Sequence, residues 1–587
     1  MRWAKSIYVL LFLYLVLLAV HLAYPRWTKE RTEATLGWDV SGYYLYLPAL
    51  FIYKDIEQLR FRDSIMKKYH PTPDFYQAFL HPESGNYVMK YSIGQAIQYA
   101  PFFFVAHLWA SLSPRHEADG FSLPYQLMIS LGSLLVAFAG LFFLRSILKV
   151  YFRDAIVAVT LIAIVLGTNY LNYSAIDGAM THNGLFTIYA VMLWLTIRFY
   201  EQPTVGRAMG MGFLIGLAVI TRPTELLSVI LSLLWGVDLS NKSALLERYR
   251  FLSAHVGKVV IAIVMAVLVG SVQLLYWKTV AGEWIVYSYR DQGFDWLRPH
   301  LWEGLFSYKS GWLVYSPMMV FALMGFAPLW KRDRSLFWPI TIFIASYIYI
   351  AFAWSNWWYG GSLGQRTMVQ SYPILAFPTA AFFESVMRRR KLVQGVVLLF
   401  VVAFVYLNMW FTYQAHLGGY LKVGEMTKAY YWKTLGRWSL KSEYFKLLDT
   451  DEWYEGRPRE VRLVYENTRD TIILNAEEQW SEPIRIPLRQ VDDFDWVRAS
   501  AVFHLGQKEW NVWKMTQFIV RFVRDGSVVK SRMIRVQRHI EDGQQKRLDF
   551  DVSRPNEPID EVEVIFWAGG STKEVRITGV RVYVVVE

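Results

Sequence analysis

The sequence predicts a polytopic α-helical membrane protein carrying a C-terminal antiparallel β-sandwich. Apolar runs of about 20 residues recur from the N-terminus to about residue 412, and basic clusters mark every other connection between them. From about residue 440 the pattern changes to an alternation of apolar and polar residues. With 54% hydrophobic and 17% aromatic residues, the chain is too apolar for a string of soluble domains.

The opening "MRWAKSIYVLLFLYLVLLAVHLAYPRW" places two cations before an apolar run of about 20 residues, enough to cross a bilayer core of roughly 30 Å. No small-residue cleavage site follows, so it reads as an anchor. Further apolar spans are expected at about 122–146, 155–172, 183–200, 206–221, 224–238, 257–279, 311–330, 336–354, 370–387 and 393–412. The intervening basic clusters are Arg145, Lys149 and Arg153; Arg198 and Arg207; Lys242, Arg248 and Arg250; Lys331, Arg332 and Arg334; and Arg388 to Lys391. The positive-inside rule puts those loops in the cytoplasm. The alternation holds if "YSIGQAIQYAPFFFVAHLWASL", from Tyr91, lies in the outer interface as an interfacial or re-entrant helix rather than crossing. The expected layout is then about eleven transmembrane helices plus outer-face interfacial helices, with the N-terminus inside and the C-terminus outside.

Domain 1–416 would be the membrane domain, with an outer loop at about 25–121. Residues 417–453 read as a linker with helical pieces, and 454–587 as a jelly-roll-like β-sandwich. In the last region "WVRASAVFHL", "TQFIVRFVRDGSVVKSRMIRV" and "KEVRITGVRVYVVVE" have the period of two of half-buried strands, and "RDG" at Arg524 signals a hairpin turn. The chain has no cysteine, which excludes disulfides, thiol catalysis and cysteine zinc sites. Its formal charge of +12 sits largely in the basic loops and does not point to nucleic acid.

Unusual polar residues fall in the outer loops. Asp39 stands in "LGWDVSGYYLYLP", ahead of apolar residues from Tyr43 to Tyr53 that suit an amphipathic surface helix. Asp177 and His182 stand in "SAIDGAMTHNGLF". Either acid can be a plain helix cap, because Asp accepts hydrogen bonds from a helix's first amides. Arg222 in "VITRPTE" and Arg366 in "SLGQR" are cations on the side opposite the basic loops; snorkelling, or pairing of Arg222 with Glu225, would explain them without chemistry. Trp357 in "WSNWWYGG" suits sugar stacking or an interfacial aromatic belt. His70, His81 and His182, with Asp39 and Asp177, could in principle coordinate a divalent metal, but they lack the spacing of a metal-ligand motif, so no metal or other cofactor is indicated.

An acid just after the first span, interfacial helices, a second acidic loop before the fourth span and many later crossings resemble the GT-C glycosyltransferases. The chain is similar in particular to the branch of protein O-mannosyltransferases and aminoarabinose transferases, the family 39-like enzymes. "NYVMKYSIGQAIQYAPFFFVAHL" resembles that branch's "YPPG" interfacial helix, with Tyr91-Ser92-Ile93-Gly94 in its place, and "GGSLGQRTMVQSYPILAFP" resembles its late loop. The resemblance covers residues 1 to 415. It implies an inverting transfer from a polyprenyl-phosphate sugar to a hydroxyl of a glycan, lipid or protein acceptor, with Asp39 as general base and Asp177 as second catalytic acid. Arg366 and Arg222 would hold phosphate through their planar forks, and His182, Tyr43 and Trp357 would line the substrate site. The location implied is a bacterial inner membrane, with site and β-domain periplasmic. A transporter, or a receptor or assembly protein with an outer binding module, is the alternative; the first usually shows repeated halves, and no repeat is present.

Overall fold

The computed structural model describes residues 5–289, 292–452, 454, 456–488 and 494–587. The chain divides into two compact units, Met1–Gly424 and Glu425–Glu587.

The first unit is helical. Helix α1 (Ser6–Ala23) is followed by the short α2 (Trp38–Tyr44) and, after a small two-stranded ribbon (Ala78–Leu80 with Tyr87–Met89), by α3 (Gly94–Leu112). Then come α4 (Leu123–Tyr151), α5 (Asp154–Gly167), α6 (Tyr170–Ala175), α7 (Thr181–Glu201), α8 (Val205–Thr221), α9 (Val256–Ala281), α10 (Arg334–Ala353), α11 (Tyr372–Met387) and α12 (Lys391–Tyr413). Among the described residues five stretches are long and apolar enough to cross a membrane: Ser6–Thr28, Leu123–Tyr151, Val256–Ala281, Arg334–Ala353 and Lys391–Gly418. Only 17% and 11% of the most apolar windows of the third and fifth are buried, so their apolar surface faces outward, as a lipid-facing helix requires.

Other apolar runs form shorter pieces. The run at 311–330, expected as one span, is broken into Trp312–Tyr315, Met319–Met324 and Phe326–Arg332. Pro317 sits in the first break and has no N–H for the helix ladder. At the second, Gly325 lies so close to α11 that a Cβ would stand 1.9 Å from the Pro378 carbonyl oxygen. Close backbone approach also joins α8 to α9, where Cβ atoms on Gly212 and Gly216 would meet the carbonyls of Ala262 and Ala266 at 2.1 and 2.7 Å. That spacing is the small-residue packing that membrane helices use in place of a hydrophobic driving force.

Helix ends sort the polar groups. At one end, the backbone N–H and Oγ of Ser6 each donate to Asp154 at 2.6 Å, Arg145 Nε donates to Ser6 Oγ at 2.8 Å, and Arg332 pairs with Glu384 at 2.7 Å. At the other end of α1, Arg26 reaches Asp177, and His416, just beyond α12, lies against Asn172. The basic clusters around Arg145 and Arg332 and the two acidic loops therefore belong to opposite ends of the bundle.

The second unit is a β-sandwich. Its strands are β1 (Glu460–Asn467), β2 (Ile472–Leu474), β3 (Ile484–Pro487), β4 (Trp496–Leu505), β5 (Gln517–Arg524), β6 (Ser527–Arg535), β7 (Gln545–Ser553), β8 (Glu561–Trp567) and β9 (Val575–Val586). One antiparallel sheet runs β3-β8-β5-β6; the other runs β1-β9-β4-β7, with β2 beside β9. With β1 and β2 sharing one place, this is the eight-position order of a jelly roll. The two sheets enclose one core that includes Val497, Phe503, Phe518, Phe522, Phe550 and Phe566. The turn expected at "RDG" joins β5 to β6 with Asp525 and Gly526 both at positive φ, 48° and 74°, the backbone that a two-residue hairpin twist demands. Before β1, Lys428–Thr434 is helical and Asp449, whose side chain is fully buried, takes Arg535 at 2.5 Å and Arg538 at 3.0 Å.

Candidate functional site

Asp39 lies in the first turn of α2 but does not cap it: Gly37 occupies the cap position and no side chain caps the helix. Asp39 Oδ2 accepts from Arg366 Nη2 at 2.7 Å and Oδ1 from Tyr91 Oη at 2.7 Å. Burial pushes the Asp39 carboxyl up, but Arg366, the Tyr91 hydroxyl and Lys90 outweigh it and hold the group below its ordinary range, so it is ionised. Burial disfavours the charge on Arg366 too, yet Asp39 and Tyr43 more than compensate and its guanidinium is held above its ordinary value.

Local backbone sets this geometry. Trp38, just before the acid, is half exposed and adopts φ 49°, a conformation rare for a bulky residue, with its N–H tied to the Pro71 carbonyl at 2.9 Å. Gly42 opens the room for Tyr91: a Cβ there would stand 2.6 Å from the Tyr91 ring. Tyr46 Oη donates to the Tyr91 carbonyl at 2.6 Å, and the Tyr43 ring packs 4.4 Å from that of Tyr91. Burial and then Asp39 raise the Tyr43 hydroxyl, which interacts with Arg222 and stays a donor.

Arg366 opens a short 3-10 turn, Arg366–Ser371, that leads into α11. The loop ahead of it is pinned by buried polar groups. Asn169 Nδ2 donates to the carbonyls of Leu363 (3.1 Å) and Gln365 (3.2 Å), while its Oδ1 accepts from Tyr372 Oη (2.6 Å) and Ser316 Oγ (3.3 Å). Tyr173 Oη accepts from the Leu363 N–H at 3.0 Å, and Ser310 Oγ donates to the Gly364 carbonyl at 2.8 Å. Arg366 Nε is buried and has no hydrogen-bond partner among the described residues.

Arg222, at the end of α8, has no carboxylate partner among the described residues; its guanidinium lies 5.8 Å from the centre of the Tyr359 ring. Glu225, the alternative partner weighed from sequence, is engaged by Tyr189 at 2.6 Å and Gln370 at 3.1 Å. His182 turns Nδ1 to Gln370 Oε1 at 2.7 Å and lies in electrostatic reach of Arg222 and Arg366. Trp357 stands in the loop before Arg366. Its carbonyl takes Gln365 Nε2 at 3.0 Å, and its ring is 6.3 Å from His300 and 5.6 Å from Trp358.

Asp177 does not join Asp39. It is paired with Arg26, accepts from Asn172 Nδ2 at 3.0 Å and lies 4.0 Å from His416. Burial raises its carboxyl, and Arg26, His416 and Asn172 reverse that, leaving it below the ordinary range. The structure thus gathers Asp39, Arg366, Arg222, Tyr43 and His182 in one neighbourhood and places Asp177 in a second. No group of three or more His, Asp or Glu side chains among the described residues is placed to hold a metal ion: His81 turns to Ser84 and Glu83, and His70 closes the helix Arg62–Tyr69.

Tyr91, Asn169, Tyr173, Glu225 and Gln370 are the side chains of this neighbourhood that the sequence did not mark as functional. The usable signal was a buried amide or acid inside an apolar stretch, as for Asn169, Gln370 and Glu225, because polar groups at membrane depth are functional by default.

Neither a protein-family model nor a curated protein matches the sequence. Among solved structures the chain is similar, at 11% identity and a TM-score of 0.36, to the arabinosyltransferase EmbB from Mycobacterium smegmatis, determined by cryo-EM. That likeness covers 97% of this chain and 64% of the EmbB chain, so the present chain spans less than two thirds of its length.

Proposed function

We propose that the protein is an inverting glycosyltransferase that moves a sugar from a polyprenyl-phosphate donor to an acceptor hydroxyl on the outer, periplasmic face of the membrane. The observation that carries this reading is an ionised carboxylate, Asp39, paired with Arg366, which itself lies in electrostatic reach of Arg222, an arginine with no carboxylate partner among the described residues. Asp39 takes the proton of the acceptor hydroxyl; the acceptor oxygen attacks the anomeric carbon; the bond from that carbon to phosphate oxygen breaks, and polyprenyl phosphate leaves. Arg366 meets the departing charge through its unpartnered Nε edge, and Arg222, which has no carboxylate partner among the described residues, through its guanidinium. Tyr91 donates to the carboxylate beside Arg366, Tyr43 lines the site between Asp39 and Arg222, and Trp357 borders it. Asp177, engaged by Arg26, Asn172 and His416, serves as a positioning residue that ties the segment after α1 to the loop before α7. The C-terminal β-sandwich orients the acceptor. The partners of this reading are a lipid-linked sugar, a glycan, lipid or protein acceptor, and the bilayer itself.

The test is release of polyprenyl phosphate from pentosyl and hexosyl polyprenyl phosphates labelled in the lipid. Membranes containing the parental protein release it in the presence of the host's cell-envelope acceptors, and membranes with Asp39→Asn do not. No release by the parental protein from any such donor rejects the reading.

A further inference from the structure

Beside Arg222 and Arg366 runs a chain of three fully buried side chains. Glu225 Oε2 accepts from Tyr189 Oη at 2.6 Å, Glu225 Oε1 accepts from Gln370 Nε2 at 3.1 Å, and Gln370 Oε1 faces His182 Nδ1 at 2.7 Å. The direction of this chain follows from chemistry. In its ionised form, which the Tyr189 and Gln370 hydrogen bonds and the charge of Arg222 favour against burial, Glu225 only accepts, so the Gln370 amide faces it with its NH₂ and turns its carbonyl to the imidazole. His182 must then donate from Nδ1, and in the neutral ring Nε2 is left as a lone pair. That nitrogen is buried and has no hydrogen-bond partner among the described residues. Its neighbours by charge are the two arginines.

Three buried polar residues aligned to fix one tautomer, ending on an unpartnered acceptor, make a built half of a hydrogen bond. The missing half is a donor. A phosphate oxygen cannot be that group, since two lone pairs would face each other; a hydroxyl can. We infer that Glu225, Gln370 and His182 form an orienting chain that presents His182 Nε2 to a hydroxyl of the sugar carried on the donor lipid, beside the phosphate held by Arg222 and Arg366. This rests on the transferase reading and adds to it a specificity determinant: a sugar lacking that hydroxyl leaves Nε2 buried and unpaired, which a polar site penalises more than a lost contact alone. His182 touches substrate; Gln370 and Glu225 are positioning residues.

Two measurements on the full chain in lipid vesicles test it. In ¹⁵N-histidine-labelled protein at neutral pH, the resonances that vanish in His182→Gln are expected to be pyrrole-type at Nδ1 and pyridine-type at Nε2. Glu225→Gln lets the amide of Gln370 turn either way, and is expected to raise the Nε2–H tautomer although residue 225 does not touch the ring. Equilibrium binding of bare polyprenyl phosphate is then compared with that of pentosyl and hexosyl polyprenyl phosphates. The parental protein is expected to prefer at least one sugar-bearing lipid, and this preference falls about 3- to 10-fold in His182→Leu and in Gln370→Met. An imidazolium or an Nε2–H tautomer in the parental protein, or a preference absent there or unchanged in both variants, overturns the inference. If the preference depends on His182 but no donor supports transfer, the transferase reading fails and the glycosyl-lipid site stands. If transfer occurs with the preference unaltered, only the orienting chain fails.

Discussion

Arg366 Nη2 stands 2.7 Å from Asp39 Oδ2, while Tyr91 holds the other oxygen of the same carboxylate at 2.7 Å. The pair gives the acid its charge and its aim together, and it removes the helix-cap explanation that the sequence left open.

Replacing Asp39 by Asn keeps the shape and an oxygen acceptor but removes the base. Transfer is expected to fall by about 10²- to 10⁴-fold. Thermal unfolding of the purified variant close to that of the parent shows that chemistry rather than folding was lost. Transfer at the parental rate would return Asp39 to a structural role.

The pH profile reads the same pair from the other side. Because Arg366 holds the Asp39 carboxyl down against burial, the base form, and whatever stability the pair gives, persist above the ordinary carboxylate range and are lost as pH falls through the lowered value. In Arg366→Gln burial acts unopposed by that charge, so the acid limb of residual kcat/KM moves to higher pH. Arg366→Lys keeps a charge but not the fork; its acid limb stays low while KM for the donor rises.

Gly42→Ala inserts a methyl 2.6 Å from the Tyr91 ring and is expected to push the hydroxyl off Asp39, lowering transfer by roughly 10- to 100-fold. If that is the route, Gly42→Ala combined with Tyr91→Phe is no worse than the more damaging single change, a non-additivity read directly from initial rates. Additive losses would mean that Gly42 acts elsewhere.

Topology is checked by reporters. One fused after Arg390 is expected in the cytoplasm and one fused after His416 outside, since the basic clusters and the acidic loops occupy opposite ends of the helices. A protected β-domain in intact spheroplasts would turn the proposed site to the cytoplasm.

Asp449→Ala probes the second unit alone. Its carboxylate is fully buried between Arg535 and Arg538, and its removal leaves Arg535 without a carboxylate partner among the described residues and Arg538 with Glu425 alone. A loss of about 3–5 kcal/mol is expected in denaturant unfolding of residues 425–587.

The β-sandwich was legible because alternation and an Arg-Asp-Gly turn are local signals; β5 and β6 stand where that pattern put them. Asp39, Arg222 and Arg366 were legible one at a time, as charges on the side opposite the basic loops. Their assembly was not, because pairing across distant loops leaves no period in the sequence. Asn169 and Gln370 are hidden in the sequence for a related reason: a lone amide in an apolar run carries no pattern, and its partners come from distant parts of the chain. The run at 311–330 misled in the opposite sense. Its hydropathy suits a span, but Pro317 and Gly325 break it, and composition averaged over twenty residues hides both.

The two members of the ion pair are 327 positions apart in the chain. At about 5–20 residues per second, synthesis separates them by roughly 16 to 65 s. Tyr91 arrives 52 positions after Asp39 and is the acid's only partner of this pair of contacts through most of that interval. The nascent protein therefore carries a carboxylate in the loop after α1 well before its arginine partner, and the pair becomes whole only after α10 has been made.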